Sequence, residues 1–148
     1  MSAGLSIGRA ADAAGVTTRT LRYYEQLGLL APTTRSVGGA RRYASEDLER
    51  VARIRRLQEL LGHDLEQVKL VLAAEDRLAE LRAEWNAHVH RTRRAAILAE
   101  ATDINNSLRA QVEARLGALS AFAAELEEKA AVYRKVAEEL EQEQAAPT

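Results

Sequence analysis

Apolar residues recur every three or four positions along most of the 148-residue chain, which is the spacing of amphipathic helices. In the first half the runs are short and are separated by turn residues. Each run follows a Ser, Thr or Asp, the residue types that favour a helix N-cap. The predicted helices cover IGRAADAA after Ser6, TRTLRYYEQL after Thr17, the run up to Leu61 after Ser45, and LEQVKLVL after Asp64.

The segment between the second and third predicted helices lacks helical spacing. Pro32 prevents the second helix from resuming, and Gly38-Gly39 is a turn signal. Residues 31–43 are therefore predicted to form a two-stranded wing. Two short helices joined through Gly15 match the helix-turn-helix pattern, whose second helix enters the major groove of DNA.

The second half of the chain carries a longer apolar repeat. From residue 116 the apolar positions alternate steps of three and four for more than three heptads, which predicts a coiled-coil seam. One helix alone would leave this stripe in water, so we expect a homodimer. The alternative is a hairpin folded back onto residues 76–107. The seam consists of Leu116, Leu119, Ala123, Leu126, Ala130, Tyr133, Ala137 and Leu140.

The segment from residue 73 to residue 107 connects the two halves. Asp76 is predicted to cap a helix through RLAELRAEW, and the polar stretch NAHVHRT predicts a break within residues 86–92. Trp85, the only tryptophan, has two interpretations: a structural side chain, or the wall of a small-molecule effector pocket. His88 and His90 would point apart on a helix and lack a third ligand, so no metal site is predicted.

The composition argues against several classes of function. The chain has no cysteine, which excludes disulfides and thiolate metal sites. No run has the length of a signal peptide or a membrane span, so we expect a cytoplasmic protein without a membrane partner. No grouped carboxylate pair or activated nucleophile is evident, so we expect neither an enzyme nor a cofactor.

Charge is distributed unevenly along the chain. Residues 1–62 hold ten arginines, no lysine and six acidic residues, whereas residues 63–107 and 108–148 have small negative net charges. Arginines and tyrosines are interleaved on the second helix and at the end of the wing, a pattern that favours a phosphate backbone. The sequence therefore predicts a basic head that faces a polyanion.

The first half resembles the DNA-binding domain of MerR-type transcription regulators, from about Leu5 to Leu72. The motifs that carry the resemblance are LRYYEQLGLL, a wing ending in RRY, and DLEQV after the third helix. This sequence departs from the family pattern at His63, where a hydrophobic residue is usual, and at Asp64, where a hydroxyl residue is usual. It also lacks the cysteines of metal-sensing members, which argues against metal or thiol sensing.

The resemblance implies a winged helix-turn-helix that binds an inverted-repeat operator in double-stranded promoter DNA as a homodimer, with antiparallel pairing of the long helices. Such regulators bend and untwist the promoter so that RNA polymerase reads both of its elements. A DNA-architectural or excisionase-type DNA-bending protein is the alternative. The implied division is a DNA-binding head at 1–72, a helical segment with a candidate effector region at 73–107, and a dimerisation helix at 108–145.

The resemblance also assigns candidate DNA contacts. Arg19 is the candidate for base reading, because a guanidinium matches guanine bidentately, and Tyr43 has packing of the wing as an alternative role. Tyr24 is expected in the core. The contacts are Thr18, Arg19, Arg22 and Tyr23 on the recognition helix and Arg41, Arg42 and Tyr43 on the wing; Arg50, Arg53, Arg55 and Arg56 are interpreted as a solvated surface.

Overall fold

The computed structural model describes residues 4–32 and 34–146. The chain forms two compact units, Met1–Val89 and His90–Thr148. The predicted fold class is confirmed: the protein is mainly α, with a winged helix-turn-helix followed by a long helix. The elements are α1 (Ile7–Ala14), α2 (Thr18–Gln26), β1 (Thr34–Arg35), β2 (Arg41–Arg42), α3 (Ser45–Leu61), α4 (Leu65–Asn86) and α5 (Arg91–Ala145).

The helix-turn-helix is set by local capping, as predicted. The Ser6 hydroxyl accepts from the Arg9 backbone N–H at the start of α1, and the Thr17 hydroxyl accepts from the Thr20 N–H at 3.1 Å at the start of α2. Between the helices, Gly15 adopts a left-handed conformation with φ 65°, which costs least at glycine. Ser6 and Thr17 are thus confirmed as N-caps.

The wing is a two-stranded antiparallel hairpin in which Thr34 pairs with Arg42 and Arg35 pairs with Arg41. Its turn places Gly39 at φ 79°, as the double glycine predicted. Thr33, within the predicted wing, lies outside the described residues.

One apolar core joins α1, α2, α3 and the start of α4. The predicted position of Tyr24 is confirmed: it is 4% exposed, and its hydroxyl donates to Gln58 Oε1 at 2.8 Å. The buried cluster consists of Ala10, Ala11, Leu21, Tyr24, Leu29, Leu30, Tyr43, Val51, Ile54, Leu57, Val68 and Leu72.

The start of α3 differs from the prediction. Ala44, not Ser45, is the N-cap residue, and it has no side-chain acceptor. Instead, Asp47 Oδ2 accepts from the Ala44 backbone N–H at 2.7 Å. A carboxylate in the first turn also stabilises the positive end of the helix dipole, so Asp47 stabilises the start of α3 without a side-chain N-cap.

Asp64 caps α4 as predicted, but α4 is a single helix that continues through Asp76 to Asn86. The prediction that Asp76 caps a new helix is therefore wrong. Its carboxylate instead accepts from Arg50 Nη1 at 2.6 Å and Nη2 at 2.9 Å. Because its carboxylate binds Arg50 of α3, Asp76 does not cap a helix, and the backbone stays helical through this position.

The interpretation of the α3 arginines as a solvated surface is right for the exposure of Arg53, Arg55 and Arg56, whereas Arg50 is half-buried. The expectation that they lack partners is wrong. Arg50 pairs with Asp76, and Arg53 donates to both oxygens of Glu75. Arg55 Nη1 donates to the Ala14 carbonyl oxygen at 3.0 Å, at the end of α1. These three residues therefore link α3 to its neighbours, whereas Arg56 pairs with Glu59 within α3.

The predicted break within residues 86–92 is confirmed, since α4 ends at Asn86 and α5 begins at Arg91. Residues 108–145 cannot fold back onto residues 91–107, because both belong to the same continuous helix α5. The seam leucines of this helix are 49–65% exposed. None of the described helices has both the length and the apolar character that a membrane span needs.

Gly4 provides a test of how the N-terminal segment packs. Leu5 forms a backbone bridge with Tyr43, and a Cβ atom added at Gly4 would lie 2.9 Å from the Tyr43 carbonyl oxygen. Such overpacking typically costs about 1–3 kcal/mol. We expect Gly4→Ala to lower the free energy of unfolding by about this amount, measured by urea denaturation.

The matched control is Gly8→Ala, because a Cβ atom at Gly8 has nothing within 4 Å. Gly8 lies in α1, where alanine is the better helix former, so we expect stability to be unchanged or slightly raised. Equal stability of the two variants would show that the Gly4 contact is relieved without cost.

Candidate nucleic-acid interface

The outer face of α2 presents the four residues predicted to contact DNA. Thr18, Arg19, Arg22 and Tyr23 are exposed, whereas Leu21 and Tyr24 on the opposite face are buried. The four line one open depression together with Thr17, Thr20 and Gln26. Two guanidinium groups among neutral hydrogen-bonding side chains form a surface suited to phosphates and base edges.

Gln26 is a residue that the sequence reasoning missed. It is exposed on the last turn of α2 and lies four positions after Arg22, on the same side of the helix. A glutamine amide can pair bidentately with adenine in the major groove. Its i,i+4 spacing from Arg22 was the signal that could have revealed it.

The C-terminal end of α2 is fixed by a glycine cap and by packing of the residues that follow it. Beyond its C-terminus, Gly28 takes a left-handed φ of 72°, and the Leu29 N–H donates to the Tyr24 carbonyl at 2.9 Å. This is the bonding of a glycine C-cap. The following Leu29 and Leu30 are buried in the core, so the exposed face of α2 is presented by a rigid element.

The three predicted wing contacts differ in accessibility. Arg41 is 49% exposed at its side chain, and Arg42 is half-buried, with Nη1 donating to the Gly4 carbonyl oxygen at 3.5 Å. Tyr43 is 1% exposed, so the structure places it in the core, as in the alternative that it packs the wing. Contact of Tyr43 with DNA stays a prediction, and the burial of its side chain does not support it.

A buried carboxylate connects the wing to α2. The side chain of Glu25 is 7% exposed, and it accepts from Arg41 Nη1 through Oε2 and from the Tyr43 hydroxyl through Oε1. Burial raises the pKa of Tyr43 above its ordinary value, with Arg41 and Arg22 opposing this effect. The phenol is thus protonated at neutral pH and able to donate to Glu25.

Comparison with known proteins decides the family. The model of the MerR HTH family of regulatory proteins matches residues 5–75. An uncharacterized HTH-type transcriptional regulator of Pseudomonas aeruginosa, PA4778, is 36% identical over 113 residues, which cover 74% of this chain and 83% of that protein. The chain belongs to the MerR family. The predicted family is confirmed.

Two further MerR-family comparisons cover different shares of the chain. The nodulation protein NolA of a Bradyrhizobium strain is 39% identical over 103 residues, 70% of this chain and 41% of NolA. The chain thus spans about two fifths of NolA. A crystal structure assigned to a MerR family regulator from Listeria monocytogenes covers 96% of this chain and 98% of its own, with 25% identity and a TM-score of 0.60.

The effector pocket predicted beside Trp85 would lie at the end of α4. Trp85 lies in the last turn of α4 and is 36% exposed. A nearby open depression is lined by residues of α4 alone and does not include Trp85. An effector pocket beside Trp85 stays a prediction.

The two histidines near this region mark the connection between helices. His88 adopts φ 58°, and His90 is the N-cap residue of α5. Within residues 4–32 and 34–146, no group of three or more His, Asp or Glu side chains is arranged to hold a metal ion.

Proposed function

We propose that this MerR-family regulator binds an inverted-repeat operator in promoter DNA as a homodimer and distorts that DNA. The observation that carries the proposal is the exposed face of α2, where Arg19 and Arg22 lie among hydrogen-bonding side chains on a rigid helix. The excess of arginine in residues 1–62 supports the same interface. Arg19 reads a base, and Thr18, Arg22 and Tyr23 position the helix.

Dimerisation is supported by the exposed seam of α5. Its leucines are about half exposed or more, and Tyr133 is 70% exposed. Apolar side chains repeated along one face of a 55-residue helix are stabilised when a second helix covers them. A second copy of the chain, packed antiparallel, supplies that helix and fixes the distance between two DNA-binding heads.

The proposal includes the division into a head at 1–72, a helical effector segment at 73–107 and a dimerisation helix at 108–145. The two heads bend and untwist the promoter so that RNA polymerase engages it, and the protein works in the cytoplasm. The energy of deforming DNA comes from contacts that the bent form permits.

The experiment is selection of bound fragments from random and genomic DNA by the purified protein, with footprinting of the fragments and sedimentation of the protein. We expect one inverted repeat whose half-sites are protected together by a dimer. Broad binding that weakens steeply with salt and shows no repeat would favour the DNA-architectural alternative. A folded dimer that binds no DNA would overturn the proposal.

A further inference from the structure

The recognition helix and the wing share one buried carboxylate. The side chain of Glu25, on α2, bonds to two residues at the end of the wing. Its two oxygens are divided between Arg41 and Tyr43, which lie 16 and 18 residues further along the chain. A contact over this separation is not required by local helix or hairpin geometry, so it is a tertiary link between the wing and α2.

The burial of the three groups is unequal. The side chain of Glu25 is 7% exposed and Tyr43 is 1% exposed, whereas the side chain of Arg41 is 49% exposed. A buried carboxylate is stable only when it is paired and hydrogen-bonded. Arg41 meets this need while about half of its side chain stays exposed.

We propose that Glu25 is a positioning residue for DNA recognition: it holds the wing at a fixed angle to α2 and keeps the charge of Arg41 partly neutralised. This inference rests on the proposed function. Through Tyr43 the carboxylate anchors the end of β2 to the core, and through Arg41 it limits how strongly the wing attracts any phosphate. Glu25 thereby favours the operator over DNA of unrelated sequence.

The test is Glu25→Gln, which keeps an oxygen that can accept from Tyr43 but removes the negative charge. The substitution frees one Arg41 in each protomer, and each freed Arg41 makes about one more phosphate contact. The slope of log affinity against log salt should therefore steepen by about two for the dimer. We expect binding to unrelated DNA to tighten and the ratio of operator to unrelated affinity to fall about tenfold or more.

The matched control is Glu49→Gln, which removes the same charge from an exposed position on α3 and should leave the salt slope and the affinity ratio near those of the natural protein. Adding Arg41→Gln to Glu25→Gln should restore the original slope. An equal slope change in Glu25→Gln and Glu49→Gln, or uniformly weaker binding at an unchanged slope, would overturn the proposal.

A second measurement needs no DNA and separates this inference from the proposed function. The wing amides of Ser36 and Tyr43 donate to the carbonyls of Ala40 and Leu5 at 2.7 and 2.9 Å. Hydrogen exchange at these amides should be faster in Glu25→Gln, while exchange in α1 stays unchanged. Unchanged wing exchange overturns the positioning role. If the natural protein binds no operator but wing exchange rises, the proposed function alone has failed.

Discussion

Arg19→Ala is expected to weaken operator binding at least about 30-fold and to reduce the base preference at one position of each half-site. A bidentate arginine–guanine contact contributes about 1–3 kcal/mol of discrimination, and an operator-bound dimer makes the contact twice. The exposed Arg19 on the rigid α2 can make that contact, since the opposite face of the helix is anchored by Leu21 and Tyr24.

Binding to a set of operators with single-base changes, measured at fixed salt, checks this prediction. Arg22→Ala provides the comparison: if Arg22 contacts phosphate, every operator should be weakened to a similar extent, with a shallower salt dependence. Arg56→Ala is the control, because Arg56 is 63% exposed on α3 and pairs with Glu59. If Arg19→Ala weakens all operators equally, Arg19 does not read a base.

The double substitution Leu119→Asp with Leu126→Asp is expected to dissociate the dimer and remove cooperative binding to the full inverted repeat. Both leucines lie on the seam and are 56% and 49% exposed in the single chain. The dimer would enclose four unpaired carboxylates, each with a penalty of several kcal/mol. The dissociation constant of the dimer should therefore rise by roughly 10³-fold or more.

Sedimentation velocity across a concentration series checks this, together with binding to a full operator and to a single half-site. The matched control is Ala121→Asp with Val132→Asp, which adds the same two charges at exposed positions outside the seam. It should remain a dimer and bind the full operator. Identical oligomeric states for the two doubles would contradict a dimer built on this seam.

The parts of the fold that sequence reasoning found correctly depend on neighbouring residues. Ser6, Thr17 and Asp64 cap the helices that follow them, and the bonds involved span two or three residues. The turn at Gly39 and the break before Arg91 are equally local. Capping and turn formation use the backbone immediately beside the residue. These elements could therefore be predicted from the sequence alone.

The errors arose where a side chain had two candidate partners. Asp76 could cap a helix or pair with Arg50, which lies 26 residues earlier in the chain. Ser45 is a different case, because a local carboxylate, Asp47, binds the Ala44 N–H and no side chain fills the N-cap position. Nothing in the spacing ranks a local partner against a distant one, because the distant partner is defined only when α3 and α4 pack together.

The sequence by itself determined the helical class, the capped helix-turn-helix, the wing and the apolar seam of α5, because each depends on periodicity or on adjacent residues. Only the tertiary structure decided which polar groups are buried and paired. It placed Tyr43 in the core, exposed Gln26 beside Arg22, and brought Glu25 to the wing. These outcomes depend on packing between elements that are distant in the chain. A charge buried by that packing loses its hydration and is stable only when it is paired with another group.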